Sequence, residues 1–465
     1  MDIKEIFNIV KTHMPITTDS RDCPEGSVFL ALKGETFDGN KFAVSALQKG
    51  CAIAIVDNAD IIGTSGEQVV FSDNGTAEIS LENGRQGMLI LVDNTLQTYK
   101  DLAREHRRQF NIPVVGVTGT NGKTTTKELI AAVLGEKFNV HYTRGNFNND
   151  VGVPKTLFQL SSEHEIAVIE MGASHPGDIK TLVETVEPTC GIITNVGRAH
   201  LQGFGSFEGV KRTKGELYDF LIDNGHLTID SCASPLPIFI NADNADLMEM
   251  AKERKATKLI KYGKDTADEV TVRGKVIDCA PFLHFSWQTD GGAEHEVKTH
   301  LIGAYNIDNM LAAATIGLHF GVSEEQVCHA LENYTPTNNR SQLTVTAHNH
   351  LIVDAYNANP TSMKAAVDNL AAMNVPAKMA ILGDMRELGE VSGEEHQRIV
   401  DLLKSKGLND IWLVGEEFGK TDCAFRKFKD VEEVKSAIAE CQPQGKYILI
   451  KGSNSMRLYT LPEVL

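Results

Sequence analysis

The reading of this chain turns on 109-QFNIPVVGVTGTNGKTTTKELIAAVL-134. An apolar run ends in a glycine-rich turn, Lys123 and three threonines follow, and apolar residues then recur at helical spacing. Strand, turn and helix in that order are the setting a phosphate loop needs. Glycines let backbone N–H groups converge on phosphate oxygens, and the helix behind them adds its positive end. Gly119, Thr120, Asn121 and Gly122 would form the cradle, with Thr125 in the first helical turn. Lys123 can reach the β- and γ-phosphates of a bound ATP, and the Thr124 hydroxyl can ligate Mg2+. The strict pattern wants glycine where Val117 stands. The alternative is a glycine-rich turn with a surface lysine.

Outward from this stretch the chain alternates. IPVVGVT, EIAVIEMG, CGIITNV and PIFIN read as strands, with TTKELIAAVLGEKF, DIKTLVETV and FEGVKRTKGELYDFL as helices between them. Apolar runs of this length separated by helices imply a parallel sheet covered on both faces. NIDNMLAAATIGLHFGV closes that domain, and after the polar joint TPTNNRSQ a second alternation runs from HLIVDAYN to KYILIKGS. Ahead of the loop, SVFLALKG, CAIAIVD, QVVFSD and MLILVD read as short strands among helices such as KFAVSALQKG. The expected fold class is α/β with three domains. These are a small α/β domain over residues 1–107, a central phosphate-loop domain with a parallel sheet over 108–335, and a Rossmann-like domain over 336–465.

With 42% hydrophobic and 23% charged residues in 465, the composition is that of an ordinary globular protein. No run of eighteen apolar residues occurs, so no membrane insertion is expected, and MDIKEIFNIVKTHM lacks a signal-peptide core. Eight scattered cysteines without a C-x-x-C pair suit reduced, mostly buried thiols in a cytoplasm. HEVKTH (295–300) is one residue too long for a zinc helix and reads as surface chain. The net charge of -17 argues against bulk nucleic-acid or anionic-membrane binding. A phosphorylated ligand must therefore be met by local devices.

Candidate metal ligands end the next strands. Glu170 closes IAVIEM, where open α/β sheets place their chemistry. Its carboxylate suits Mg2+; His200, in NVGRAHLQGFGS, is a less usual ligand for so hard a cation. The alternatives are a salt-bridged acid and a loop histidine. Asp354 with Tyr356-Asn357-Ala358-Asn359-Pro360, and Lys451, Ser453 and Arg457 in ILIKGSNSMRL, crowd polar groups at two further strand ends, though each could be an ordinary turn.

Taken together, TTDSR, ALKGETFDG, VTGTNGKTTTKE, GNFNNDVGVPKTL, IEMGASHPGDI, TNVGRAHLQGFGS, GAYNIDNMLAAA, DAYNANPTSM, ILGDMRELGE and KGSNSMR resemble the Mur ligases over nearly the whole chain. YNANP with LGDMRELGE points to the branch that joins D-alanyl-D-alanine to UDP-N-acetylmuramoyl-tripeptide. The resemblance implies an ADP-forming ligase that uses ATP and Mg2+, makes an acyl phosphate and acts as a monomer in the cytoplasm. It implies catalytic roles for Lys123, Lys214 and His200, and places Mg2+ on Thr124, Glu170, His200 and a carbamylated Lys214. Asn306 and Asn309 match the adenine region. Arg340 and Asp354 match groups that close over ribose and phosphates. Asp19, Ser20, Arg21, Lys33 and Gly34 match the uridine pocket; Asn148 and Asn149 match the muramoyl-peptide side, and Asn357 and Asn359 are read as substrate contacts. The chain departs from the pattern at Asn40, Tyr305, Gln202 and NNRSQ. Two rival readings are a sibling ligase that adds the third peptide residue and a nucleotide-driven switch.

Overall fold

The alternation read from the sequence becomes three sheets in two units. The computed structural model describes residues 1–227, 235–264, 269–336 and 342–465. One unit comprises 1–112, 146–165 and 181–187; the other comprises 113–145, 166–180 and 188–465.

The first unit is built on β1 (Ile16–Thr17), β2 (Val28–Leu30), β3 (Ile53–Val56), β4 (Thr76–Ser80) and β5 (Gln86–Leu91), in the order β1-β2-β3-β5-β4. All neighbours are parallel except β4 against β5. Its first helix, Ile3–Val10, starts in a capping box between Asp2 and Glu5 and turns Ile6, Phe7 and Val10 inward. The Thr95–Arg107 helix is capped by Asn94 and carries Arg104, His106 and Arg107 in its last turn, where the helix end is negative. QVVFSD is not a strand; the ladder uses 76–80 instead, whose inward Ala77 and Ile79 alternate with polar residues. The cysteines are also less buried than expected. Among those described, only Cys51 and Cys190 are buried; Cys23, Cys279, Cys328 and Cys423 are half-buried and Cys441 is exposed.

In the second unit nine strands lie in the order β14-β13-β12-β11-β10-β9-β6-β8-β7. They are β6 (Val114–Thr118), β7 (Val140–Tyr142), β8 (Ile166–Glu170), β9 (Cys190–Ile193), β10 (Ile238–Asn241), β11 (Leu259–Lys264), β12 (Val272–Cys279), β13 (Phe282–Thr289) and β14 (His295–Ile302). β6 to β12 are parallel, and their central members are buried along their whole length. The flank β12-β13-β14 is antiparallel, an addition the alternation did not reveal. HEVKTH opens β14 rather than forming surface chain: Val297, Thr299 and Leu301 face inward at the period of a half-buried edge strand. β6 lies between β8 and β9, so chain progression reverses on its two sides. Ligands gather at such a switch point, outside the strands' carboxyl ends.

The same unit holds a six-stranded sheet ordered β15-β16-β20-β17-β18-β19. Its strands are β15 (Gln342–Val345), β16 (His350–Asp354), β17 (Lys378–Gly383), β18 (Ile411–Val414), β19 (Arg426–Phe428) and β20 (Tyr447–Lys451), with only β15 antiparallel. The loop after β17 is fixed from beneath by two buried groups. Asp384 accepts the Glu417 and Phe418 N–H groups at 3.1 and 2.9 Å. His396 accepts Met385 N–H on Nε2 at 3.0 Å and donates Nδ1–H to Ser392 O at 2.7 Å. Both ring nitrogens are thus used by the neutral form.

Burial, chiefly, pushes His396 below its ordinary value of 6.5. The unfolded chain then takes the proton first, so this contribution to stability is full above about 6.5 and is lost as pH falls below it. Urea unfolding should show wild type losing on the order of 1 kcal/mol more than His396→Leu between pH 7.5 and 5.5. Equal losses in the two proteins would refute the assignment.

Candidate functional site

At the carboxyl end of β6 the chain turns through Gly119 at φ +143° and Gly122 at φ +78°, backbone conformations that side chains disfavour. Gly122 leads directly into the Lys123–Gly135 helix. The turn is splinted from the end of β9. Asn195 O accepts Thr120 N–H at 2.9 Å, and its side-chain oxygen accepts Asn121 N–H at 3.0 Å. Asn195 Nδ2 and Thr194 Oγ1 both donate to Asn121 O. Asn195, which closes the apolar run GIITNV, therefore shapes the loop. Lys123 Nζ donates to Gly119 O and Thr120 O at 2.8 and 3.0 Å, which holds the ammonium against the turn.

Register places the acid. Val117 pairs with Glu170 across β6 and β8, so the carboxylate stands beside the base of the loop. Thr124 Oγ1 donates to Glu170 at 2.9 and 3.1 Å, and both residues are buried. Behind them Lys127 is fully buried with Nζ 3.9 Å from Glu170 Oε2. Nothing in the sequence reading singled out Lys127; its spacing of four from Lys123 and three from Thr124 was the available signal.

His200, at φ +50°, pairs through Nδ1 with Glu387, which itself has φ +66°. Burial pushes its imidazole down; Glu387 opposes that, and the charges of Lys123 and Lys214 add to it. Glu387 was also missed, although it lies in the quoted LGDMRELGE. Lys214 is 2% exposed on the Phe207–Asp223 helix, with its Nζ 5.7 Å from the Phe204 ring centroid. Among the described residues no hydrogen-bond partner meets that Nζ. Burial first, then Lys123, drives Lys214 well below the lysine range, against the pull of Asp178, Glu216 and Glu170.

Asn306 and Asn309 stand one turn apart and are joined at 2.8 Å; Asn309 also accepts Thr126 Oγ1 at 2.9 Å, against the phosphate-loop helix. Asn359 caps the Pro360–Ala372 helix and exchanges amide hydrogen bonds with Asn121, the shorter at 2.7 Å. Asp354 and Lys451 are register partners and form an ion pair at 2.6 Å; Lys451 also reaches Asn357 O. Arg340 lies outside the described residues. Thr125 is buried in the first helical turn.

The residues read as the uridine and peptide contacts belong to the other unit. Arg21 forks onto Asp19 at 2.7 and 2.8 Å and holds that carboxyl below the usual range. Lys33 and Gly34 begin a tight hairpin closed by the bridge from Lys33 to Asp38. Asn149, beside Asn148, accepts the Val151 and Gly152 N–H groups on Oδ1 at 3.3 and 2.9 Å, just ahead of the helix Gly152–Leu157.

Among the described residues no three His, Cys, Asp or Glu side chains converge as a metal cage. A buried carboxylate and a hydroxyl beside a phosphate loop nevertheless fit Mg2+, which keeps waters and takes its remaining ligands from substrate phosphates.

Three family models match in succession: the Mur ligase family catalytic domain over residues 13–107, the Mur ligase middle domain over 117–317, and the Mur ligase glutamate ligase domain over 339–454. A UDP-N-acetylmuramoyl-tripeptide–D-alanyl-D-alanine ligase from Synechocystis is 36% identical over 452 residues, spanning 95% of this chain and 90% of its own. The structure of MurF from Acinetobacter baumannii matches with TM-score 0.81 at 30% identity, covering 96% of this chain and 92% of that one. MurF ligase from Thermotoga maritima in complex with ADP matches with TM-score 0.81 at 26% identity, covering 97% of both.

A methyl group on Gly119 would lie 2.1 Å from Thr194 Oγ1 and 3.0 Å from Thr194 N, so the turn would have to leave its splint. Gly119→Ala should weaken calorimetric binding of ADP or ATP by roughly 100-fold or more with the circular dichroism of the fold unchanged. Undiminished binding would show that the turn is not the phosphate cradle.

Proposed function

The chain belongs to the Mur ligase family, and on that premise we propose that it joins D-alanyl-D-alanine to UDP-N-acetylmuramoyl-tripeptide at the expense of ATP. The observation that carries this reading is the phosphate loop with Lys123, Thr124 and Glu170 gathered at the β6 switch point. The peptide's terminal carboxylate attacks the γ-phosphorus of ATP, and ADP leaves. Carboxylate is a poor acyl donor because oxide is a poor leaving group; phosphate departs readily. The neutral amine of D-alanyl-D-alanine then attacks the acyl carbon, loses a proton and expels inorganic phosphate. Phosphoryl transfer between two anions requires positioning and charge neutralisation above all. The N–H groups of Thr120 and Asn121 are taken by Asn195, so those from Gly122 to Thr125, at the start of the helix, would orient the phosphates, and Lys123 neutralises them.

When bound, Mg2+ neutralises further phosphate charge and polarises the transferred group. Thr124 and Glu170 would hold one ion; His200 and Lys214 would hold another. Lys214 suits the second role only as its carbamate, since an ammonium repels a cation. Carbamylation needs the neutral amine: the Nζ lone pair bonds to the carbon of CO2, the nitrogen gives up a proton, and a carboxylate results. Burial, and Lys123 after it, shift Lys214 toward that neutral form.

Asn306 and Asn309 would meet adenine, and Arg340 and Asp354 the ribose and phosphates. Asp19, Ser20, Arg21, Lys33 and Gly34 would hold the uridine nucleotide, Asn148 and Asn149 the muramoyl peptide, and Asn357 and Asn359 would be substrate contacts. The ranges 1–107, 108–335 and 336–465 are accordingly read as the UDP-substrate domain, the ATP-binding domain and a C-terminal Rossmann-like domain. No described helix is long and apolar enough to cross a membrane. Water-soluble substrates and ATP place the reaction in the cytoplasm, with the chain acting as a monomer.

A coupled ADP-release assay should respond to UDP-N-acetylmuramoyl-tripeptide only when D-alanyl-D-alanine is present; release with a diamino acid and the dipeptide precursor instead would favour the sibling ligase. Lys123→Met should lower kcat by roughly 1000-fold or more. Lys214→Ala should be comparably impaired and partly restored by short carboxylic acids. An unmodified Lys214 in the intact-protein mass, with no such restoration, would reject the carbamate.

A further inference from the structure

Lys127 is the largest charged group in the phosphate-loop helix to which the reaction sketched above gives no task. It is one helical turn beyond Lys123 and Thr124 and has no exposure to solvent. Its ammonium donates to Thr143 O at 2.7 Å, stands 3.5 Å from Glu128 Oε1 and 3.9 Å from Glu170 Oε2, and lies 5.6 Å from the centroid of the Tyr142 ring. Thr143, just after β7, accepts Glu170 N–H on its Oγ1 at 3.0 Å. The amine thus grips the residue that grips the backbone of Glu170, while its charge faces the carboxylate of the same residue.

Glu170 is 1% exposed. An isolated carboxylate removed from water to that degree is strongly disfavoured, and a neutral hydroxyl donor such as Thr124 cannot balance its charge. The Lys127 ammonium balances it from 3.9 Å, beyond hydrogen-bond distance, and leaves the direct hydrogen bonds of the carboxylate to Thr124 in place. We propose that Lys127 is a positioning residue: its buried ammonium, anchored on Thr143 O, faces the Glu170 carboxylate and keeps it aimed at Thr124 and the metal. This inference rests on the reading of Glu170 as a Mg2+ ligand. Lys127 touches neither substrate nor metal.

The competing explanation is that Lys127 merely ties the helix to Thr143. The two separate in a double-variant cycle on the full chain. In metal-free buffer with a chelator, Lys127→Met should lower the melting temperature by roughly 5 °C. Adding Glu170→Gln should restore most of that loss, because the uncompensated charge is gone. A purely structural tie predicts additive losses. In steady-state kinetics Lys127→Met should raise the half-saturating Mg2+ concentration by about 10- to 100-fold, as loss of a group that orients a metal ligand does. The KM for the UDP-linked peptide should stay unchanged. Additive melting losses, or an unshifted Mg2+ requirement in Lys127→Met while Glu170→Gln shifts it, would overturn the inference. A Mg2+ requirement unaffected by Glu170→Gln would instead reject the metal assignment it stands on.

Discussion

A chain of net charge -17 that handles a polyphosphate faces an electrostatic problem, and the remainder of the structure is arranged around its local solution. Long-range attraction is of the wrong sign, so the anion must be met by backbone dipoles and by few, well-placed cations. Backbone dipoles converge only if the turn holds conformations that side chains disfavour, hence glycine at 119 and 122. Those conformations persist only if something over-determines them. The hydrogen bonds from Thr194 and Asn195 do so, and they arise from a neighbouring parallel strand whose register is set by its buried apolar run.

The six-stranded sheet is coupled to the same turn. Asn359 pairs its amide with that of Asn121, and Glu387 pairs with His200. Both contacts come from residues at the edge of the second sheet's carboxyl ends, one capping a helix and the other at a positive φ held by the Asp384 and His396 scaffold. Amide-to-amide pairing is specific in direction but modest in strength. Apolar packing backs these polar contacts: Ile302 of β14 belongs to the core cluster of the second sheet, and Phe282 of β13 packs against it.

The parts of this design legible in the sequence were those written in apolar runs. β6, β8, β9 and β10 are continuous apolar segments because parallel central strands are covered on both faces, and the helices between them carry the 3.6-residue period. The β12-β13-β14 flank escaped because half-buried antiparallel strands mix charge into the run: VRGKVIDC and HEVKTH read as loop when only apolar continuity is sought. Glu170 and the loop residues were visible from their place at strand ends. Asn195, Glu387 and Lys127 were not, since each acts on a partner distant in sequence, brought near by strand order or by the second sheet. Motif resemblance located Lys214 but could not say why an amine would be there.

Two buried lysines in one site make that reason plain. Lys127 donates to a carbonyl and faces carboxylates, so its charge is matched and it serves as an ammonium. Lys214 has no hydrogen-bond partner at its Nζ among the described residues, and the cation Lys123 acts on it from nearby. The same burial therefore has opposite consequences. For one amine nearby carboxylates match the positive charge; for the other burial and Lys123 disfavour it and shift the group toward the neutral, nucleophilic form. Burial and Lys123 thus act against an ammonium at this position, while Asp178, Glu216 and Glu170 act in its favour, so the balance at Lys214 is set by desolvation first.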